Sequence, residues 1–233
     1  AINWTPSYSE YLGDLTAWYK KNVGEDFLAC RTQIAQLLQE ENQLMEIVKL
    51  IGSDVLPDDQ KLVIETARVI RVGFLQQNAY HQDDTYVPLE KQLKMMRVIL
   101  HLHKAAQAIV AASVPLSQIL ALGLFDKVSR IKYDVPNDHL ELLDGYYKEI
   151  DDTLAALKKS IKADLAAKRQ EAVDRDFENE AVVLAGKNMT CNIPACMIDE
   201  QVDKHLEQFS YQLQSQGMKM EDYAKMMGGD VNT

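Results

Sequence analysis

The sequence predicts an all-α protein in which a helical bundle is followed by a long helix that leads into a helical arm. Three observations support this prediction. Helix-forming residues are abundant, whereas glycine and proline are few, at 10 and 6 of 233 residues. Apolar residues recur at intervals of three and four along most of the chain. No segment of the sequence alternates apolar and polar residues with the period of two that a half-buried strand needs.

In the first third of the chain, glycine and proline divide the helical pattern into separate helices. A short helix is predicted to about Lys21, before Gly24. A long amphipathic helix follows from Asp26 to about Leu50, because its apolar residues recur at three and four. The third helix begins at Pro57, since proline suits the first helical turn and the two following aspartates suit the positive end of the helix dipole.

The middle of the chain contains one long polar stretch between two helices. The third helix keeps its apolar face as far as Phe74. Residues 76–88 then form the longest polar, aperiodic segment of the first half. A helix is predicted from Pro88 to about Ala112, and a shorter helix around Ile119 follows it.

The apolar spacing changes near residue 143, where a narrow seam begins. Its members are spaced at intervals of four, three, four, three, four and four: Leu143, Tyr147, Ile150, Leu154, Leu157, Ile161 and Leu165. This spacing predicts one uninterrupted helix that reaches about Leu184. A helix of roughly 40 residues is about 60 Å long, which suits a bridge, an arm or a coiled coil. A coiled coil at this seam is compatible with a homo-oligomer formed through the long helix.

Two further helices are predicted after Gly186. The first begins at residues 192–194 and presents an apolar face of Ile198, Val202, Leu206, Phe209 and Leu213. The second follows Gly217 and presents Met218, Met220, Tyr223, Met226 and Met227. Methionine fills cores and also lines adaptable apolar binding surfaces, so this last face has two interpretations.

Charge, the length of apolar runs and cysteine usage narrow the classes of function. The net charge is −10 and no basic face stands out, which argues against a nucleic-acid partner, because phosphate recognition needs clustered Lys and Arg. No stretch approaches the roughly 18–20 apolar residues that span a bilayer, so direct membrane insertion is not expected. Three widely placed cysteines indicate reduced thiols of a cytoplasmic protein.

The sequence offers little catalytic or metal-binding chemistry. It contains none of the short motifs typical of phosphate-binding loops, dinucleotide sites, zinc hydrolases or serine hydrolases. His101 and His103 are two residues apart on a predicted helix, so they point about 200° apart and cannot share a metal. Cys191 and Cys196 lack the second pair of ligands that a zinc site needs. Neither a metal nor a cofactor is therefore expected.

One cluster in the polar segment has residue types that acid–base chemistry uses. His81 precedes Asp83 and Asp84, and this grouping is compatible with a proton-transfer site. The same residues are also typical of a polar surface loop that ties two helices together, and this second interpretation is favoured. Composition and spacing alone therefore predict a helical, non-enzymatic protein.

The first half of the chain carries an unusual polar string with correctly spaced flanking stretches. The string comprises residues 74–81 (Phe74, Leu75, Gln76, Gln77, Asn78, Ala79, Tyr80 and His81), then Asp84, Thr85 and Tyr86, and then residues 89–92. Upstream stretches that support it are Asn3-Trp4, Ser7-Tyr8-Ser9, Trp18-Tyr19 and Leu50-Ile51-Gly52. Over about residues 2–150 this pattern resembles the C-terminal helical domain of the catalytic A subunit of V-type and archaeal-type rotary ATPases.

That resemblance implies a domain that follows the nucleotide-binding domain and contacts the rotor shaft and the catalytic-ring subunits. It also implies that Phe74, Gln77, Asn78 and Tyr80 wall the adenine pocket in an intact parent, where aromatic rings can stack on adenine and amides can read its edge. The family's phosphate-binding loop, catalytic glutamate and arginines would all precede residue 1. The fragment is therefore not expected to hydrolyse ATP or to bind it tightly.

The second half carries a different pattern. Residues 192–194, 197–200, 202–203, 212–213, 216–217 and 221–223 resemble the C-terminal domain of trigger factor, a bacterial chaperone, over about residues 150–231. The resemblance implies helical arms whose apolar, Met-containing surfaces hold unfolded polypeptide. The polypeptide-binding residues would be Phe209, Leu213, Met218, Met220, Tyr223, Met226 and Met227. The family's isomerase domain has no counterpart in this sequence, so isomerase activity is not expected.

Together the two resemblances predict a boundary that lies inside a continuous helix. Residues 1–150 form a rotary-ATPase-like helical domain, and residues 151–233 form a trigger-factor-like helical arm. The predicted function is that of a non-catalytic, cytoplasmic, bacterial fusion, which would be peripheral to the membrane if it joined an ATPase complex. The alternative is a purely structural motor fragment with no chaperone activity. Both an engineered fusion and a natural fusion gene fit the pattern, and the engineered fusion is favoured.

Overall fold

The computed structural model describes residues 9–52, 55–190 and 192–215. Within these residues every regular element is helical and no strand occurs, which confirms the all-α prediction. The helices are α1 (Leu12–Asn22), α2 (Phe27–Ile51), α3 (Asp58–Val69), a π-helical segment (Ile70–Leu75), α4 (Gln82–Thr85), α5 (Leu89–Val110), α6 (Leu116–Leu120), α7 (Leu124–Ser129), α8 (Ile131–Asp134), α9 (Leu142–Asn188) and α10 (Ala195–Ser215).

The chain divides into two compact units, one that ends at Ala167 and one that begins at Lys168. Both units contain part of α9, so the division falls inside a helix. The domain boundary expected from the sequence, between residues 150 and 151, stays a prediction. No helix among the described residues has the length and apolar character needed to cross a bilayer.

The core of the first unit lies where α2, α3 and α5 pack against one another. Apolar residues three and four positions apart lie on the same side of a helix, so α2 and α3 each turn an apolar face inward. The central helix α5 is buried around most of its circumference, and its buried apolar residues include Leu93, Met96, Val98, Ile99, Leu102, Ala106 and Ile109. The short helices α6 and α7 cover this core with buried Leu116, Ile119, Leu124, Phe125 and Val128.

The first part of α9 completes this core. Leu143, Ile150 and Leu154 are buried, and Tyr147, Leu157 and Ile161 are partly buried against the same cluster. The last member of the predicted seam, Leu165, is 63% exposed. The predicted single helix is confirmed, since α9 runs without a break for 47 residues. As far as Ile161, its apolar seam packs on the bundle of the first unit.

The third helix ends differently from the prediction. A regular helix was expected to carry the apolar face to Phe74, but α3 gives way to a π-helical segment at Ile70. Within that segment, Gly73 lies against the backbone of α7: a Cβ atom at this position would lie 2.8 Å from Cα of Ser129. Glycine is therefore required for this close approach between two helices.

The region after α5 is more finely divided than the sequence suggested. One shorter helix was predicted around Ile119, whereas the structure has α6, α7 and α8 in succession. Gly123 separates the first two because its φ of +71° is left-handed, which only glycine adopts without strain. The polar segment 76–88 likewise contains one short helix, α4, that its lack of periodicity did not reveal.

The second unit contains the end of α9 and the whole of α10 among its described residues. The helix predicted to begin at residues 192–194 is confirmed as α10, which begins at Ala195. The last predicted helix, with Met218, Met220, Tyr223, Met226 and Met227, lies outside the described residues.

Candidate functional site

A buried ion pair anchors the polar segment 76–88 to the first unit. Nζ of Lys132 lies 3.4 Å from Oδ2 of Asp84, and the two side chains are 2% and 1% exposed. Lys132 also donates a hydrogen bond to the carbonyl oxygen of Gln76. The same Asp84 oxygen accepts a hydrogen bond of 2.7 Å from the backbone N–H of Asn78. Such a pair persists in a core only when further hydrogen bonds satisfy both charged groups, as they do here.

A second buried lysine extends this network. Lys91, on α5, donates hydrogen bonds to the carbonyl oxygens of Lys132 (3.1 Å) and Val135 (2.7 Å) and to Oδ1 of Asn137 (2.9 Å). These three acceptors match the three N–H donors of an ammonium group. Burial lowers the pKa of Lys91, while the nearby carboxylates oppose that effect. Lys91 therefore joins α5 to the chain around α8.

Asn137 closes the network on the side of the polar segment. Its backbone N–H donates to Oδ1 of Asp83 at 3.0 Å, and its side-chain Nδ2 donates to the carbonyl oxygen of Tyr86 at 3.0 Å. We refer to Asp83, Asp84, Lys91, Lys132 and Asn137 as the polar network. Because its hydrogen bonds reach residues 76, 78, 83 and 86, the network holds both ends of the loop between them.

The loop that the polar network holds carries the residues predicted for an adenine pocket. Gln77 and Asn78 are exposed, and the Tyr80 side chain is fully exposed. The Asn78 side-chain oxygen accepts a hydrogen bond of 3.0 Å from the Tyr80 backbone N–H, which fixes the turn between them. Phe74 is half-buried, and with Gln77 it lines a cavity of about 280 Å³. The structure thus brings two of the four residues to one cavity and leaves the role of all four a prediction.

The cluster around His81 has structural partners. Its Nδ1 accepts a hydrogen bond of 3.3 Å from the backbone N–H of Asp83, so it caps α4. The centroids of the His81 and Tyr133 rings are 4.8 Å apart in an edge-to-face arrangement. Asp84 is committed to its pair with Lys132. These contacts favour the interpretation of a polar loop that ties helices together over that of a proton-transfer site.

The two neighbouring histidines on α5 contact different elements. His103 is buried, and its Nδ1 lies 2.9 Å from the hydroxyl of Thr66 on α3. His101 lies at the surface, where its Nε2 is 2.8 Å from Oδ1 of Asp151 on α9. In the described part of the chain, no three His, Cys, Asp or Glu side chains are grouped to hold a metal ion.

The second unit exposes an apolar stripe along α10. Its members Ile198, Val202 and Leu206 are 51%, 49% and 49% exposed, and they follow one another at intervals of four. The predicted polypeptide-binding residues Phe209 and Leu213 continue this line; Phe209 is partly exposed and Leu213 is buried. We call Ile198, Val202, Leu206 and Phe209 the α10 stripe.

The end of α9 also exposes large apolar side chains: Val173, Phe177, Val182, Val183 and Leu184. Exposed apolar side chains that recur along a helix are typical of interaction surfaces. The spacing of the α10 stripe was visible in the sequence, but its first three members were not among the predicted binding residues, and their exposure is shown by the structure. The five predicted residues beyond position 217 lie outside the described part of the chain.

Comparison with protein families gives a separate match for each half of the chain. Residues 16–120 match the family described as the C-terminal domain of V and A type ATP synthase. Residues 153–233 match the family described as the bacterial trigger factor protein C-terminus. Both resemblances inferred from the sequence are thus confirmed. Both family descriptions refer to C-terminal regions, and neither refers to a catalytic domain.

Individual relatives cover the first part of the chain. The V-type ATP synthase alpha chain 2 of Clostridium tetani is 46% identical over 157 residues, which cover 64% of this chain and 26% of the relative. The V-type ATP synthase alpha chain of Halothermothrix orenii is 45% identical and covers 60% of this chain. The A subunit of the A-type ATP synthase of Methanopyrus kandleri is 42% identical over 158 residues, or 67% of this chain. The chain spans about a quarter of the length of these relatives.

Proposed function

We propose that this protein is a non-catalytic fusion, in which a C-terminal fragment of a rotary-ATPase A chain is joined to a polypeptide-binding segment of the trigger-factor type. The family matches over residues 16–120 and 153–233 support the two parts. We place the protein in the bacterial cytoplasm, at the membrane periphery if it joins an ATPase complex. We favour an engineered origin of the fusion over a natural fusion gene.

For the first part, the proposed partners are the rotor shaft and the subunits of the catalytic ring. The polar network supports a role of the 77–80 loop in contacts with partner subunits, since buried hydrogen bonds hold the loop while the Tyr80 side chain stays exposed. An adenine contact by Phe74, Gln77, Asn78 and Tyr80 is proposed only for an intact parent, where other domains would supply the phosphate site. The chain alone should neither hydrolyse ATP nor bind it tightly. Phosphate release from ATP and titration with labelled ATP to millimolar levels would test this.

For the second part, the proposed ligand is unfolded polypeptide. The observation that carries this proposal is the α10 stripe, where large apolar side chains lie exposed at helical spacing. Apolar helix faces of this kind bind partner segments because apolar surface is removed from water. The gain in free energy is roughly 25 cal/mol for each Å² of apolar surface buried. The exposed apolar residues at the end of α9 provide further apolar surface for binding unfolded polypeptide.

The test is suppression of client aggregation by the full chain. The variant Val202→Glu/Leu206→Glu places two charges in the α10 stripe, and Gln201→Glu/Gln208→Glu adds the same charges at exposed polar positions of the same helix. We expect the stripe variant to lose most of the suppression measured by light scattering, whereas the control keeps it. Equal suppression by both variants would contradict a role for the stripe.

The alternative function is that of a purely structural motor fragment. It is favoured by the burial of Leu213, which removes one predicted binding residue from the accessible surface. Failure of the unaltered chain to suppress aggregation at several-fold excess over the client would select this alternative.

A homo-oligomer formed through α9 is a further proposal, supported by the exposed apolar residues Phe177 and Leu184. Its test is the molar mass in solution, measured by light scattering.

A further inference from the structure

An apolar cavity of about 360 Å³ lies beside the π-helical segment, between that segment, α1, α2 and α5. Its volume is in the range of small-molecule sites in proteins. The walls are mainly aromatic and aliphatic, and they include Tyr19, Phe27, Ile34, Leu38, Phe74 and Met96. The rings of Tyr19 and Phe27 are stacked, with their centroids 4.8 Å apart and an angle of 11° between their planes.

One charged side chain, Arg31, is in the lining of this cavity. It is half-buried on α2, and no carboxylate among the described residues lies within ion-pair distance of its guanidinium. Its own helix cannot supply one, because the residues three and four positions away are apolar: Phe27, Leu28, Ile34 and Ala35.

The other partly buried arginines of the first unit are paired. Arg68 contacts Glu65, and Arg71 contacts Glu41. The exposed Arg97 is also paired, through a two-point contact with Asp26. A chain with a net charge of −10 has many carboxylates to offer, yet the described part of the chain places none at Arg31. A guanidinium therefore lies beside an apolar cavity with capacity for anion binding that the described residues do not use.

We propose that this cavity binds a small amphiphile with one carboxylate head and an apolar body, of the class of medium-chain fatty acids. Arg31 pairs with the carboxylate, because a guanidinium fork matches both carboxylate oxygens. The apolar body lies against Phe27, Tyr19 and Phe74 and gains the free energy of leaving water. The proposal is independent of the proposed function, since it needs neither a nucleotide nor an unfolded polypeptide.

The ligand-side test uses the unaltered full chain and isothermal titration calorimetry. Decanoate, kept below the concentration at which it forms micelles, is compared with decanol and with acetate. We expect decanoate to bind with one-to-one stoichiometry, decanol to bind at least tenfold more weakly, and acetate to give no measurable heat. Equal affinity for decanoate and decanol, or no binding of decanoate, would overturn the proposal.

The protein-side test compares two arginine variants that lose the same charge. Arg31→Gln should weaken decanoate binding at least tenfold, whereas Arg130→Gln, at an exposed position, should leave it unchanged. The variant Val202→Glu/Leu206→Glu should also bind as tightly as the unaltered chain, which separates this cavity from the α10 stripe. An Arg31→Gln variant that is folded by circular dichroism and binds decanoate normally would refute the assignment. If the Arg31→Gln variant does not fold, the comparison of decanoate with decanol on the unaltered chain still tests whether the cavity binds a carboxylate head group.

Discussion

At the scale of single residues, the first unit is organised around buried polar groups whose partners come from distant parts of the chain. His103 faces Thr66, and Lys132 faces Asp84. Each pair joins residues that are 37 or more positions apart in the sequence. Because a buried polar group without a partner costs free energy, each of these pairs fixes the register of two elements.

The His103 pair makes the stability of the first unit depend on pH. Burial, assisted by the charge of Lys104, lowers the pKa of His103 in the folded state. Below about pH 6.5 the unfolded chain takes up a proton that the folded chain does not, so the unfolding free energy falls as the pH falls. The expected slope is at most about 1.4 kcal/mol per pH unit. Urea unfolding between pH 7.5 and 5.5 measures it.

His103→Gln should remove this component of the pH dependence, because glutamine does not titrate. His139→Gln is the control, since both His139 and its ion-pair partner Glu141 are exposed. The explanation fails if both variants keep the same slope as the unaltered chain.

The Lys132–Asp84 pair should be far more important for stability than a surface pair. Lys132→Met leaves a buried carboxylate without its cation and should lower the unfolding free energy by about 3–5 kcal/mol. Lys127→Met removes an exposed pair with Glu149 and should cost less than about 1 kcal/mol. Chemical denaturation compares the two variants. Hydrogen exchange at the Asn78 amide, which donates to Asp84, should be faster in the first variant only.

At the scale of elements, the π-helical segment decides how closely α7 approaches. The segment brings Gly73 against the backbone of Ser129, and a normal side chain does not fit between them. A π-helical turn within an α-helix is often found at functional positions, and here it directly precedes the loop that the polar network holds.

Gly73→Ala should therefore destabilise the protein, by about 1–3 kcal/mol, because the new methyl group overpacks a backbone contact. Gly145→Ala is the matched control: Gly145 lies in α9 with open space around its Cα. There the same change should stabilise by about 0.5–1 kcal/mol, since alanine is the better helix former. Thermal unfolding measures the melting temperatures of both variants. A change of the same sign in both melting temperatures would contradict the packing argument.

At the scale of the whole molecule, the described residues form two compact units that share one helix. The first unit ends at Ala167, and Leu154, Leu157 and Ile161 of α9 pack on its core. Residues beyond Leu165 on α9 have no such packing and are exposed. The helix is therefore stabilised by the core of the first unit as far as Ile161 and continues beyond it without that support.

Leucine-to-alanine substitutions along α9 should locate the end of the first unit. Leu154→Ala removes a buried side chain and should cost about 2–4 kcal/mol in the unfolding transition of that unit. Leu165→Ala, at an exposed site further along the same helix, should change the stability by less than about 0.5 kcal/mol. Denaturation followed by circular dichroism measures both. Similar effects of the two substitutions would mean that the core of the first unit does not end between them.

Much of the architecture could be predicted from the sequence, because local chemistry decides it. Helix-forming composition, the spacing of apolar residues and the position of Gly24 and Pro57 determined the all-α class and the main helices. The uninterrupted α9 followed from the seam that begins at Leu143. The polar string from Phe74 to His81 and the pattern after Asn192 determined the two family resemblances, since both are carried by residue identity alone.

Other features were decided only by the tertiary structure. The π-helical segment brings Gly73 against the backbone of α7, a contact that no local pattern encodes. The polar network joins residues more than 40 positions apart, so its pairs have no signature in the spacing of either segment. Exposure follows the same rule: Leu154 and Leu165 occupy the same seam in the sequence, but only the first has a core to pack against. Periodicity determines which face of a helix is apolar, and the tertiary fold determines whether that face is covered.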